Sequence, residues 1–386
     1  MIPKLSPVII SPFGPPALAC IRSWGRQGFR VGMVCIRSEE EADPDCRFLA
    51  SFISLHPNDV LKPEGIRAIN DFIKAFGASG IISINEDITC WLNDNRGALD
   101  SRTAIWASSN EAIHSVLSKQ KQLDVARAVG FDLLPTYFID RDPAAIQRIQ
   151  GGHFPLCLRP DHPKTITPSF KVQIVSSPAE LVGCVERLSR LDASLIAQPL
   201  ESLPNLVVHG ARKLNGDQIG LHAFLVERKF QGVTLTIRAT QLEDGLRAKC
   251  VDFVDRFHLT GSYHFEFLLD RNSGKTYFLE INSRLGGTTA KVLACGYDEP
   301  LLALEAYGAC EGRPQDVRDC IVSSKHALLK YCCHTLKNRL TLLDYPDESK
   351  STRLLKSLYG FLCFKDEILT FRDIRGSLAF YRALLR

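Results

Sequence analysis

The stretch YHFEFLLDRNSGKTYFLEINSRLGGTTAK, Tyr263 to Lys291, decides the fold. Two alternating apolar segments flank a turn at Asn272-Ser273-Gly274, and each carries a carboxylate, Glu266 in the first and Glu280 in the second. Side chains of a strand alternate between faces, so Glu280 and Asn282 share one face. A hairpin through the turn brings Glu266 alongside them. Three hard oxygen ligands on one sheet face suit Mg2+ and a nucleoside triphosphate. Arg284 continues the same alternation, where a guanidinium could grip a γ-phosphate or a substrate carboxylate with two hydrogen bonds. Gly286-Gly287-Thr288-Thr289 reads as the opening of a helix, whose free N–H groups and dipole make an anion site.

The segments upstream imply an α/β start. Val8–Ile10 reads as a buried strand, Ala17–Gln27 as a helix ended by Gly28, and Val31–Ile36 as the next strand. This βαβ unit implies a parallel sheet covered by helices. A helix over Glu64–Phe76 leads to a strand at Gly80–Ile84. Asn85-Glu86-Asp87 then falls at that strand's carboxyl end, where open α/β sheets place ligand loops. Periodicity predicts one helix from Ala112 to Val129. Strands follow at Thr136–Ile139, Phe154–Arg159, Lys171–Val175 and Leu195–Leu200, then an antiparallel pair, Val207–Leu214 and Gly220–Val226, and a further strand at Leu235–Gln241. A helix at Ala248–Leu259 leads into the hairpin, and a long helix at Pro300–Tyr307 leaves it. Leu328–Arg339 reads as helix or strand, and Ser349–Ser351 as a polar break.

A chain of 386 residues is long enough for two or three domains. The expected division is 1–109, an N-terminal α/β domain; 110–200, a small lobe with its linking helix; 201–312, a metal and nucleotide lobe; and 313–386, a C-terminal segment. The net charge of +4 comes without a basic run, which argues for neither nucleic acid nor a membrane as partner. The thirteen cysteines are scattered, with no CxxC pair, and the start of the chain lacks the pattern of a signal peptide. This points to reduced thiols and a cytoplasmic location. No GxSxG or Ser/His/Asp set supports hydrolase chemistry. The residues leave His264 as a core group and Cys332-Cys333 as core thiols. Arg228 and Lys229 are expected to be solvated, and Arg238 is either a surface arginine or a cation able to stabilise an acyl phosphate.

FLLDRNSGKTYFLEINSR resembles the metal-binding hairpin of the ATP-grasp superfamily, specifically its carboxylate–amine ligases. The resemblance implies a pre-ATP-grasp-like α/β domain followed by a two-lobed ATP-grasp fold, mixed α/β and α+β. It implies ATP and Mg2+, two ions with Mn2+ as an alternative, held by Glu266, Glu280 and Asn282. Leu117-Ser118-Lys119 ahead of Gly130 and Pro135 is similar to the family's lysine-led helix, which puts Lys119 on ATP phosphate. Phe154–Pro160 resembles the nucleotide-facing strand, with Arg159 where a lysine is usual, and Lys171 follows its loop. Ile196-Ala197-Gln198-Pro199-Leu200 resembles the hinge that brackets adenine, which implies roles for Gln198 and Leu200 and leaves Glu201 for the ribose. Gly286 and Gly287, with Arg284, would orient an acyl phosphate, the group that Arg238 could stabilise. The implied activity joins a small-molecule carboxylate, such as an amino acid or peptide, to an amine. A small-molecule kinase and a decayed nucleotide-binding regulator remain open. The loop Asp161–Ser169 departs from the family in lacking glycines.

Overall fold

A computed structural model of the chain describes residues 5–140, 146, 149, 153–162, 165–188, 190–192 and 194–384. The first sheet contains β1 (Pro7–Ser11), β2 (Val31–Ile36), β3 (Leu49–Leu55), β4 (Gly80–Ser83) and β5 (Ala104–Ile105). Its order is β3-β2-β1-β4-β5, and every pairing is parallel. Every residue of β1 and β2 is buried because both faces are covered. Ile9, Met33 and Cys35 pack on Leu18, Ile21 and Trp24 of the helix Pro15–Arg26. Val8, Ile10 and Val34 pack on Ile66, Ile69 and Ile73 of the helix Pro63–Phe76. β3 went unread in the sequence because it is an edge strand, only half-buried. The strand order reverses between β1 and β4, and Asn85 caps a helix, Glu86–Asp94, at that switch point.

The helix expected over Ala112–Val129 is two helices, Asn110–Leu117 and Lys119–Ala128. Ser118 breaks it: its extended backbone ends the first helix, and its hydroxyl accepts from Lys121 N to cap the second. A four-stranded sheet follows, in the order β6 (Tyr137–Ile139), β11 (Leu195–Pro199), β7 (Leu156–Pro160) and β9 (Gln173–Val175), all antiparallel. In the loop between β7 and β9, β8 (Ile166–Thr167) pairs with β10 (Arg190–Leu191), which precedes β11. Positions 163 and 164 of that loop lie outside the described residues.

The largest sheet has seven strands in the order β16 (Thr276–Asn282), β15 (Gly261–Leu269), β12 (Asn205–Arg212), β13 (Gln218–Phe230), β14 (Val233–Thr240), β17 (Ile321–Ser323) and β18 (Lys365–Asp366). One face buries Phe265, Phe267 and Phe278 against Phe131 and Phe253, the latter on the helix Asp244–Arg256. The other packs Val207, Phe224 and Ile237 on Val292, Tyr297 and Leu302. The helix expected at Pro300–Tyr307 runs Glu299–Ala306, the same eight-residue length shifted by one, because the Asp298 side chain accepts from Leu301 N and caps it one residue earlier.

The C-terminal segment is ordered and sewn into the rest. Leu328–Arg339 resolves as a helix, Lys325–Leu336. The expected break at Ser349–Ser351 is instead a helix start, with the Ser349 hydroxyl capping Lys350–Cys363. Arg22 Nε meets Asp373 Oδ2 at 2.8 Å, and Lys291 Nζ meets Glu367 Oε2 at 3.0 Å, all four groups buried. Breaking either pair would strand a buried charge. Cys333 is exposed and Cys332 half-buried, so this pair is not a core feature: the helix turns Leu328, Tyr331 and Thr335 inward instead. The thirteen cysteines form no disulfide with one another. Among the described residues, no helix is long and apolar enough to cross a membrane.

Candidate active site

Glu266 and Glu280 are direct cross-strand partners, and His264 pairs with Asn282 two residues along. Like charges opposite each other destabilise a sheet, and burial adds to the cost. Burial first, then the Glu280 charge, pushes Glu266 up to about 7, against a hydrogen bond from Asn205. Burial also acts to raise Glu280, but Lys119 and Arg159, with hydrogen bonds from Lys119 and Asn282, outweigh it and hold that carboxyl well below its usual range. The pair therefore rests in a mixed state, one carboxylate compensated and the other not. The donor set is two carboxylates and an amide oxygen, hard ligands suited to Mg2+, and a divalent ion between them would relieve the repulsion. These residues fit the metal that the resemblance implies.

The Ser118 break gives Lys119 its direction. Gln120 N donates to Asp161 Oδ1 at 2.8 Å and pins the start of the second helix to the end of β7. Lys119 Nζ then reaches Glu280 Oε2 at 2.6 Å. Arg159 on β7 approaches the same oxygen at 3.5 Å and donates to Gln198 Oε1 at 2.5 Å. Gln198 Nε2 in turn donates to Thr136 Oγ1 at 2.9 Å. β7 and β11 pair in register with Arg159 beside Ile196, so the predicted phosphate and adenine elements stand side by side.

These groups line one cleft of about 700 Å³ between the four-stranded and seven-stranded sheets, within the range of small-molecule sites. Lys119, Arg159, Lys171, Gln198, Leu200, Glu201, Glu266, Glu280, Asn282 and Arg284 all border it. At one end Arg284 Nε meets Glu86 Oε1 at 2.6 Å, which joins the hairpin to the switch point of the first sheet.

Three expected site residues stand elsewhere. Arg238 pairs with Leu225, Leu225 with Leu206 and Leu206 with Phe267, whereas Glu266 lies opposite Val207. Register thus puts Arg238 on the face away from the carboxylates, where it pairs with Glu227 at 2.5 Å. Gly286 and Gly287 are not part of the cleft wall. A Cβ on Gly286 would come within 2.4 Å of His264 Cε1, so its bareness serves that packing. The Thr288 and Thr289 hydroxyls are engaged in the core, by His209 Nε2 at 3.1 Å and Glu299 Oε2 at 2.6 Å. His264 stacks on His209, with ring centroids 5.3 Å apart. Burial, with the His209 and Arg284 charges, pushes its imidazole well below the usual range.

Sequence reading missed Lys229. It is not solvated: it borders the cleft, and Nζ donates to Leu203 O at 2.9 Å and Asn205 Oδ1 at 3.0 Å. Asn205 Nδ2 then donates to Glu266 Oε2 at 3.2 Å. Burial lowers Lys229 to about 8, against the pull of Glu266. Arg228 is buried too, bonded to Tyr331 Oη at 2.8 Å. The periodicity hides both because β13 continues past Val226 through two register shifts, which re-aim consecutive side chains. Leu342, Leu343 and Tyr345 bring the C-terminal segment to the same cleft.

No protein-family model and no curated protein matches the chain. Solved structures do resemble it. Biotin carboxylase from Campylobacter jejuni, in complex with β-γ-ATP, aligns with a TM-score of 0.61 at 16% identity, over 82% of this chain and 75% of that one. An N5-carboxyaminoimidazole ribonucleotide synthetase in its ADP complex aligns with a TM-score of 0.65 at 9% identity, over 94% and 97%. L-amino acid ligase from Bacillus licheniformis aligns with a TM-score of 0.58 at 14% identity, over 82% and 79%. At these identities the likeness is one of fold: the chain has the ATP-grasp fold, with a parallel-sheet α/β domain at its N-terminal side.

Proposed function

We propose that this protein is an ATP-dependent carboxylate–amine ligase that works through an acyl phosphate. The observation that carries the reading is the convergence of Lys119 and Arg159 on Glu280, opposite Glu266, in a cleft flanked by the hinge at Gln198. Glu266, Glu280 and Asn282 would hold Mg2+, which when bound neutralises charge on a nucleotide's phosphates. Triphosphate entering the cleft gives Lys119 and Arg159 a new partner in place of Glu280. Leu200 and Gln198 would hold the adenine and Glu201 the ribose, with Lys171 above the phosphates. Lys229, already partly stripped of water, would meet the γ-phosphoryl group.

In the first step a substrate carboxylate oxygen bonds to the γ-phosphorus and the bond to ADP breaks. In the second, an amine bonds to the acyl carbon, inorganic phosphate leaves, and the amine sheds a proton. No protein nucleophile is needed, so positioning and charge neutralisation supply the catalysis. Arg284 stands where the substrate carboxylate would lie, and Glu86 offers a counter-charge for an amine at the carboxyl end of the first sheet. An ADP-release screen across amino acids and small carboxylates, with and without an amine, tests this. Release that needs both substrates, with an amide found by mass spectrometry, supports the ligase. Release with one substrate and a phosphorylated product indicates a kinase, and no release with any substrate overturns catalysis.

A further inference from the structure

The overall charge of +4 conceals an uneven surface. Three acids of the C-terminal segment, Asp366, Glu367 and Asp373, are 6%, 7% and 1% exposed, and all have partners inside. Of the described residues from 325 to 384, Asp347 is the one exposed acid, and it pairs with buried Arg353. The exposed cations there include Lys330, Lys337, Lys350, Lys356, Arg372 and Arg382.

The helix Lys350–Cys363 is amphipathic in the inverted sense. It turns Arg353, Ser357 and Gly360 inward. Outward it presents Leu355, Leu358, Tyr359 and Leu362, which are 71%, 57%, 59% and 70% exposed. The spacing of three, four and seven residues puts them in one stripe. The neighbouring helix Lys325–Leu336 runs antiparallel to it, with Lys350 Nζ on Leu336 O at 2.8 Å, and it leaves Leu329 and Leu336 half exposed. Further along, Phe371 is 91% exposed. The exposed side chains of the two helices together make an apolar surface on the order of several hundred Å², a size that marks an interaction site.

Charge decides between occupants. A second copy across a two-fold axis would set this stripe and its cations against themselves, since Asp347 is already paired with Arg353 and half-buried Glu348 with Lys356 and Arg228. A folded acidic partner would favour recessed pockets, whereas here the largest side chains stand proud. Protruding Leu, Tyr and Phe with flanking lysines, whose stems can lie along apolar surface while the charge stays wet, match a headgroup layer. Among the described residues no helix is long and apolar enough to cross a membrane, so this segment would lie on a bilayer rather than span it.

We propose that the Lys350–Cys363 face docks on an anionic lipid bilayer. The test is co-sedimentation of the full chain with vesicles of phosphatidylcholine alone and of phosphatidylcholine mixed with phosphatidylglycerol. Partition into the mixed vesicles should be at least about tenfold stronger and should weaken with salt. Leu358→Glu with Leu362→Glu should reduce it about tenfold or more. Lys330→Gln with Lys337→Gln, beside exposed Leu329 and Leu336, should abolish the preference for the anionic vesicles, and the melting temperature of both variants should match the parent. Equal partition into the two vesicle types, or none, overturns the proposal. So does sedimentation velocity showing a dimer that Leu358→Glu with Leu362→Glu dissociates, or binding of an acidic helical peptide without binding of vesicles.

Discussion

The two faces of the β15–β16 hairpin differ in kind. One is an aromatic wall of Phe265, Phe267 and Phe278; the other carries Glu266, Glu280 and Asn282. The apolar face provides the burial that holds the hairpin in register. The polar face spends part of that stability on two carboxylates in direct opposition. The comparison teaches that fold and chemistry are separable here, one on each side of the same strands, and substitutions on the two sides should separate them.

The largest effect is expected on the polar face. Glu280→Gln should lower ADP formation by about a thousandfold or more, roughly 4 kcal/mol in the barrier, while the melting curve stays close to that of the parent. Undiminished turnover would remove Glu280 from the site. On the other face, Phe278→Ala should cost about 3–5 kcal/mol of stability in denaturant titration. Nucleotide binding by the folded fraction should be unchanged, and a selective loss of binding would break the separation. Lys229→Met is a finer probe: a change of about 10–100-fold in kcat with little change in stability is expected. An equal loss in a variant that restores charge, Lys229→Arg, would assign it to packing rather than phosphate contact.

The smallest effect concerns pH. Burial and the Glu280 charge push Glu266 up to about 7, above the ordinary 4.5. Without metal, the folded protein keeps that proton while the unfolded chain has lost it, so this group's contribution to stability falls as pH rises from about 4.5 to about 7. Mg2+ needs the ionised form. Its affinity should therefore rise with pH by up to about tenfold per unit below 7 and level off above, with protons released on binding. Calorimetry in buffers of different ionisation enthalpy reads this directly. A flat profile would mean that Glu266 is already ionised in the free protein.

Most strands were legible because they obey local rules, such as alternation at Glu280 and Asn282 and a buried βαβ start, and Lys119 was legible through the resemblance of Leu117-Ser118-Lys119 to a lysine-led helix. The less legible features depend on departures from those rules. Ser118 splits a periodic stretch because its hydroxyl caps the second helix, a role that a run of helical residues disguises. Lys229 reads as a surface lysine until the register shifts of β13 turn it toward Asn205 and Glu266. Arg238 reads as a candidate for the site until register puts it beyond the sheet.

By itself, the sequence determined the hairpin, the shared face of Glu266, Glu280 and Asn282 and the order of the elements around them, since those follow from side-chain period and turn chemistry. Only the tertiary structure decided which charges meet. Lys119 and Glu280 are 161 residues apart, and their contact exists because Ser118 and Asp161 aim one helix at one strand. The same holds at the surface. Burial of Asp366, Glu367 and Asp373 leaves a near-neutral chain with a basic, apolar C-terminal face, because burial redistributes charge without changing its total.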